Sequence, residues 1–390
     1  MIRILHVITT LRTGGAETML VRLLSAHSPE WSPVVVSLED RGTLGEKISQ
    51  LGIPVHALGL RGSLPNPLRA ISLLPLVRRL EPQVIQGWMP HGNLTASAAR
   101  AVLPESAPVF WNVRMTLDSL GAERWLTATA IRLGALYSSG PAAIIYNSRV
   151  AAAQHEAIGY CPRRRTIIPN GFDCRLFRSD ERARQEVRAG LGVDLKAVLI
   201  GLIARFHPMK DHATFLQAAA RVARAQPAAR FLLAGTGVTW EQPALQKLIV
   251  EHGLQERVLL LGERSDVPRL TAALDIACSA SWNEGFSNTI GEAMACGVPC
   301  VATSAGDTSA DLIADTGGVA PPRDPAALAQ AILRLIEAGS EQRRQLGLAA
   351  RQRIESRFSL PAIARRYEDL YKECLEEPPE AAARMRGSGS

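Results

Sequence analysis

No stretch of these 390 residues stays apolar for the roughly 20 positions a bilayer-spanning helix needs. No Cys-x-x-Cys pair occurs either. Cysteines stand singly at 161, 174, 278, 296, 300 and 374, which argues against a disulfide framework and a structural zinc site. Cys278 and Cys300 fall in apolar segments that read as strands, where a thiol behaves as a small hydrophobe. His-Glu-x-x-His and Asp-x-Asp are both missing, so no cofactor and no bound divalent metal are expected. Aromatic residues are only 5% of the chain and do not interleave with a basic stripe, so nucleic acid is not an expected partner. No repeat of solenoid period is present.

What remains is the composition of a soluble globular protein, 47% hydrophobic and 21% charged. Its length suits two domains, each able to bury a core of its own. Met1–Thr10 is too short for a secretory signal and reads as a first strand, which makes the cytoplasm the expected compartment. The net charge of +7 admits two readings. One is peripheral association with an anionic membrane face that carries a lipid-linked acceptor; the other is no charge-dependent role.

Strand and helix signals alternate along the chain, the pattern of parallel sheets covered by helices. Expected strands in the first half are Ile2–Thr9, Val34–Leu38, Val84–Gly87, Val109–Val113 and Ala143–Tyr146, with helices at Ala16–Ala26 and Ala70–Leu80. The second half repeats the rhythm with Val198–Ala204, Phe231–Ala234, Val258–Leu261, Leu274–Ser279 and Cys300–Thr303. Periodicity lapses in the charged stretch Arg178–Arg188, after the turn-forming Pro169-Asn-Gly. The reading is an N-terminal Rossmann-like domain at 1–174, a second at 175–360, a C-terminal helix at 361–375 that returns to the first, and a disordered tail at 376–390.

The strongest local signal is Glu284-Gly-Phe-Ser-Asn-Thr-Ile-Gly-Glu292, which straddles a strand end and a helix start. Ser287 or Asn288 is the expected N-cap. Amides at such a start, through Thr289, attract phosphate. Glu284 lies in the loop ahead, and Glu292 lies past the positions where capping explains an acid. It can therefore accept hydrogen bonds from hydroxyls such as a ribose diol. A second strand-end loop carries Arg205 and Lys210, cations suited to a leaving diphosphate. Gly14 and Gly15, after the first strand, let a backbone approach a ligand, or else simply make a tight turn. Asn170-Gly-Phe-Asp173 reads as a turn between domains.

These motifs, in this order, resemble the retaining nucleotide-sugar glycosyltransferases of GT-B fold, the family often called glycosyltransferase family four. The resemblance runs through Thr13-Gly-Gly-Ala-Glu17, Pro169–Asp173, Arg205–Lys210, Leu261–Pro268, Glu284–Glu292 and Gly297–Thr303. It implies an α/β fold with two Rossmann-like domains facing each other across a cleft. It implies transfer of a sugar from a nucleoside diphosphate sugar to a hydroxyl of a glycan or lipid-linked acceptor, with retention. Arg205, Lys210 and Glu284 would be catalytic. Gly14, Gly15, Arg264, Phe286, Ser287, Asn288, Thr289 and Glu292 would contact the donor. A polysaccharide-precursor subgroup has a segment similar to Trp111-Asn-Val-Arg114 but often follows it with histidine, where this chain has Met115. The corresponding contact then falls to Arg114 or His91. A nucleotide-sugar epimerase of the same fold, or a non-catalytic nucleotide-sugar-binding protein, stays open. A nicotinamide dehydrogenase does not fit, because Gly235-Thr-Gly237 lacks the third glycine.

Overall fold

The computed structural model describes residues 1–60, 73–103 and 107–376. The expected start of the helix at Ala70 and the tail beyond Glu376 lie outside the described residues. The chain divides into two compact units. The first comprises Met1–Gly171 with Leu360–Ser390, and the second comprises Phe172–Ser359.

In the first unit β1 (Ile2–Ile8), β2 (Trp31–Ser37), β3 (Val55–Ala57), β4 (Val84–Trp88), β5 (Val109–Val113), β6 (Ala143–Tyr146) and β7 (Arg165–Ile167) form one sheet. Its order is β3-β2-β1-β4-β5-β6-β7 and every pairing is parallel. Side chains of a strand alternate between faces, so Ile4 and Ile8 join one core layer while Leu5 and Val7 join the other. The last helix, Leu360–Glu376, completes the first layer with Leu360, Ile363, Ala364, Tyr367 and Tyr371, the apolar stripe of a 3.6-residue period.

The second unit is built the same way from β8 (Leu199–Ile203), β9 (Arg230–Ala234), β10 (Val258–Leu260), β11 (Ile276–Ser279), β12 (Cys300–Thr303) and β13 (Gly318–Ala320). The order is β10-β9-β8-β11-β12-β13, again all parallel. Ile200 and Leu202 face one core layer and Leu199 the other.

The charged stretch after the boundary is not an irregular linker. Glu181–Gly190 is a helix, capped by the Asp180 side chain on the Ala183 N–H at 2.8 Å. Its Arg188 is fully buried and pairs with Asp275, while also donating to the carbonyls of Ala273 (3.0 Å) and Ala197 (2.9 Å). A guanidinium survives burial only when its donors are satisfied in this way. Asp275 also accepts from the Leu199 N–H at 2.7 Å, so one carboxylate fixes the amino ends of both β8 and β11.

Candidate active site

In an open parallel sheet, ligands sit beyond the carboxyl ends of the strands, where the chain order reverses direction. In the second unit that switch falls between β8 and β11, because β9 and β10 lie on one side and β12 and β13 on the other. The loop after β8 carries Arg205 and Lys210, and the loop after β11 carries Glu284. Lys210 Nζ donates to Glu284 Oε2, an ion pair whose members keep 26% and 19% of their side-chain surface exposed. Ser281 Oγ donates to the same carboxylate oxygen at 3.2 Å. Arg205 is exposed on the same loop. The field there is positive: burial first, then the charges of Arg205 and Lys210, hold His207 below the usual imidazole range.

Both loops are braced by backbone. Trp282 N–H donates to Met209 O at 3.1 Å, and its indole N–H to Pro208 O at 3.0 Å. The Arg323 guanidinium lies 4.7 Å from the Trp282 ring centre. On the other side Asp307 N–H reaches Gly285 O at 3.0 Å, and Thr303 Oγ1 donates to Ser281 O. Gly306 adopts φ +63°, and a Cβ there would lie 1.7 Å from Glu284 O, so only glycine lets the two loops meet. Gly235, at φ +147°, likewise lets the β9 loop press on Ala204 O, which a Cβ would approach to 2.3 Å.

The helix Asn288–Ala295 starts at Ser287, which rather than Asn288 is its N-cap, accepting from the Ile290 N–H at 3.4 Å. Ser287 N–H itself donates to Thr308 Oγ1 at 3.0 Å, so that amide is committed to the protein. Asn288 and Thr289 occupy the first helical positions, half-buried, and Thr289 Oγ1 lies 3.3 Å from Ser287 Oγ. Glu292 is buried in the second turn. After burial, its charge contributes to raising the Cys296 thiol to about 12.

Two residues expected at the donor have partners of their own within the second unit. Phe286 is 3% exposed, with its ring stacked on Phe172 (centroids 6.3 Å) and tilted against Phe358 (5.5 Å). It anchors the loop from below, because a benzyl side chain gains more from the core than from a polar strand-end surface. Arg264, exposed after β10, closes a bidentate pair with Asp266 at 2.8 Å within its own loop. Residues that sequence reading missed are Ser281, Trp282, Thr308 and Arg323. The only local hint was Gly306, placed just after a strand end.

In the first unit the switch falls between β1 and β4. Gly14 is the N-cap and Gly15 the first residue of the helix Gly15–Ser25 after β1. His91 lies in the first turn of the helix Met89–Arg100 after β4, half-buried. Burial lowers its pKa, and Glu39 opposes the shift. Arg114, after β5, is held by Asn112 Oδ1 (3.1 Å), Tyr367 OH (2.7 Å) and Asn170 Oδ1 (2.5 Å from Nη2). Burial lowers its pKa, with Tyr367 opposing. This guanidinium ties β5 to the last helix of its own unit.

Comparison with known proteins agrees with this fold. The Glycosyltransferase Family 4 domain matches residues 13–176, and the Glycosyl transferases group 1 domain matches residues 197–338. D-inositol 3-phosphate glycosyltransferase of Corynebacterium urealyticum is 30% identical over 233 residues, which are 57% of this chain and 54% of that protein. N-acetyl-alpha-D-glucosaminyl L-malate synthase of Bacillus anthracis is 28% identical over 211 residues, 54% of each chain. The chain thus spans about half the length of these curated relatives. HepE of Anabaena, crystallised with UDP, superposes with a TM-score of 0.83 over 95% of this chain and 100% of its own, at 24% identity. Two parallel sheets with flanking helices, each with its own switch point, are the GT-B fold, and the chain belongs to the group 1, family 4 glycosyltransferases.

Proposed function

We propose that this protein is a retaining glycosyltransferase that moves a sugar from a nucleoside diphosphate sugar to a hydroxyl of a glycan or lipid-linked acceptor. The observation that carries this reading is the Lys210–Glu284 pair at the switch point of the second sheet. Supporting it, HepE, the structural relative, was also crystallised with UDP-glucose. A uridine diphosphate sugar is therefore the first donor to test.

As the donor breaks down, negative charge grows on the leaving diphosphate and positive charge on the sugar ring. Arg205 and Lys210 stabilise the first from a preorganised loop, with the dipole of the helix starting at Ser287–Thr289. Glu284 orients the sugar hydroxyls and Glu292 the ribose hydroxyls. The acceptor proton passes to the leaving phosphate on the face that the acceptor attacks, so Glu284 need not form a covalent intermediate. Arg264 borders the base. The candidate contacts of the first unit are Gly14, Gly15, His91 and Arg114, each at or just after a strand end. Cations of the protein serve where a metal would. A lipid-linked acceptor would be met by peripheral attachment to an anionic membrane.

The test is a panel of nucleotide sugars incubated with and without a lipid-diphosphate sugar acceptor. Acceptor-dependent release of nucleoside diphosphate, with the product anomer matching the donor by NMR, is the expected result. Acceptor-free isomerisation would make the protein an epimerase. Binding without turnover would make it a receptor.

A further inference from the structure

A helix on the surface of a soluble protein turns its large apolar residues inward and its polar residues outward. The helix Trp125–Tyr137 of the first unit instead leaves most of its large apolar residues outside. Its inward face is Ala128, Ala130, Ile131 and Gly134, all buried. Its outward face carries Trp125 (72% exposed), Leu136 (75%), Tyr137 (62%), Leu133 and Leu126. At the 3.6-residue period these five side chains fall within one broad stripe, interrupted only by Thr129 and edged by Arg132. Beside the stripe runs a groove of about 510 Å³ between this helix and Met89–Arg100, lined by Leu94, Ser97, Arg100, Leu133 and Tyr137. An exposed apolar patch of this kind with a polar rim marks an interaction surface.

The rim identifies the partner. Arg124 precedes the helix, Arg132 lies on its outward face and Arg100 lines the groove. Arg164 Nε donates to Ser139 O at 3.3 Å, which places another guanidinium just past the carboxyl end. Arginines around a stripe of tryptophan, tyrosine and leucine match an interface with anionic headgroups outside and acyl chains within. Pairing with a second copy by a twofold axis would instead set this arginine rim against itself.

We propose that the helix Trp125–Tyr137 is a membrane-docking element, lying along an anionic bilayer with Trp125, Leu126, Leu133, Leu136 and Tyr137 in the headgroup–acyl boundary. The inference rests on the reading of a lipid-linked acceptor and deepens it by assigning the surface that meets the lipid.

The full chain is sedimented with vesicles of phosphatidylglycerol and phosphatidylcholine in equal parts, and with phosphatidylcholine alone. The expected result is stronger binding to the anionic vesicles, weakened by salt. In the double variant Trp125→Ser, Leu136→Ser, affinity should fall by at least about tenfold with an unchanged circular-dichroism melting curve. Trp125→Phe provides a conservative check: quenching of tryptophan fluorescence by spin-labelled lipid should drop in that variant. Equal binding by wild type and double variant, or quenching unaffected by Trp125→Phe, overturns this surface and leaves membrane attachment itself standing. No binding by the wild type overturns both. A dimeric wild type that the double variant renders monomeric assigns the face to a second copy and overturns the proposal.

Discussion

Lys210 and Glu284, from loops 74 positions apart, share a hydrogen-bonded ion pair at the point where the second sheet reverses its order. Neither side chain is fully withdrawn from solvent, so the ammonium can re-aim toward an incoming phosphate while the carboxylate turns to sugar hydroxyls. Replacing Lys210 or Arg205 by Ala should lower turnover by about tenfold or more, because each removes a charge-assisted contact to a group whose charge grows in the transition state. Purified, folded variants that both keep normal turnover would show the diphosphate to be bound elsewhere.

The two glutamates should separate kinetically. Glu292, buried in the helix, is assigned to ribose hydroxyls whose bonding does not change during transfer. Glu284 is assigned to the sugar that develops charge. Glu292→Gln should chiefly raise KM, and Glu284→Gln should chiefly lower kcat. Calorimetric donor affinity and single-turnover rates decide the matter. A reversed pattern exchanges the roles, and a sugar trapped on Glu284 would establish a covalent route.

Activity should persist in excess EDTA, since the charge stabilisation is assigned to Arg205, Lys210 and the helix start. Complete loss on chelation, restored by magnesium or manganese, would remove the metal-free mechanism.

Arg188→Ala should destabilise the second unit strongly, by about 3–5 kcal/mol in denaturant unfolding, because it leaves the Asp275 carboxylate short of a partner at the base of β8 and β11. Arg184 also pairs with Asp275, at 2.7 Å. Arg184→Ala should cost distinctly less, since this guanidinium is partly solvated. Equal small effects would mean that the buried pair contributes no more than a surface one.

Acid should weaken the fold before the carboxylates titrate. His6 is buried in β1, where Trp88 Nε1 donates to its Nδ1 at 3.2 Å, and burial lowers its pKa from 6.5 to about 3. Burial likewise lowers His212 to about 4. Between the unfolded value and these folded values the unfolded chain binds protons that the folded chain refuses. Stability is therefore full above about pH 6.5 and falls as pH drops, by at most about 1.4 kcal/mol per pH unit for each ring. Melting temperatures followed downward from about pH 7 should show this slope, and His6→Asn, which keeps an acceptor near Nδ1, should flatten it. Parallel slopes for the two proteins would exclude His6 as a source.

Much of this protein is decided within short windows of sequence. The apolar runs Val109–Val113, Ala143–Tyr146 and Cys300–Thr303 become strands at those bounds, because burial on both faces of a parallel sheet requires continuous apolar stretches. The helix start after Glu284 is equally local, since Ser287 caps an amide only three residues on. The short strands Val55–Ala57, Arg165–Ile167 and Gly318–Ala320 are different. Three residues carry too little pattern to read, and they are strands only because a neighbouring strand supplies their hydrogen bonds. Charge patterns misled where burial decided the outcome. Arg178–Arg188 reads as a charged stretch without periodicity, yet Asp275 and a set of carbonyls take Arg188 into the core. Arg114 and Phe286 are nominated by residue type and place, and it is Tyr367 and Phe172, remote in sequence, that fix their positions. Residue type and local period are enough to form the elements and to nominate the cations and acids. Which nominee meets which, and which large apolar side chains of Trp125–Tyr137 stay outside, depends on long-range packing that no window of the chain contains.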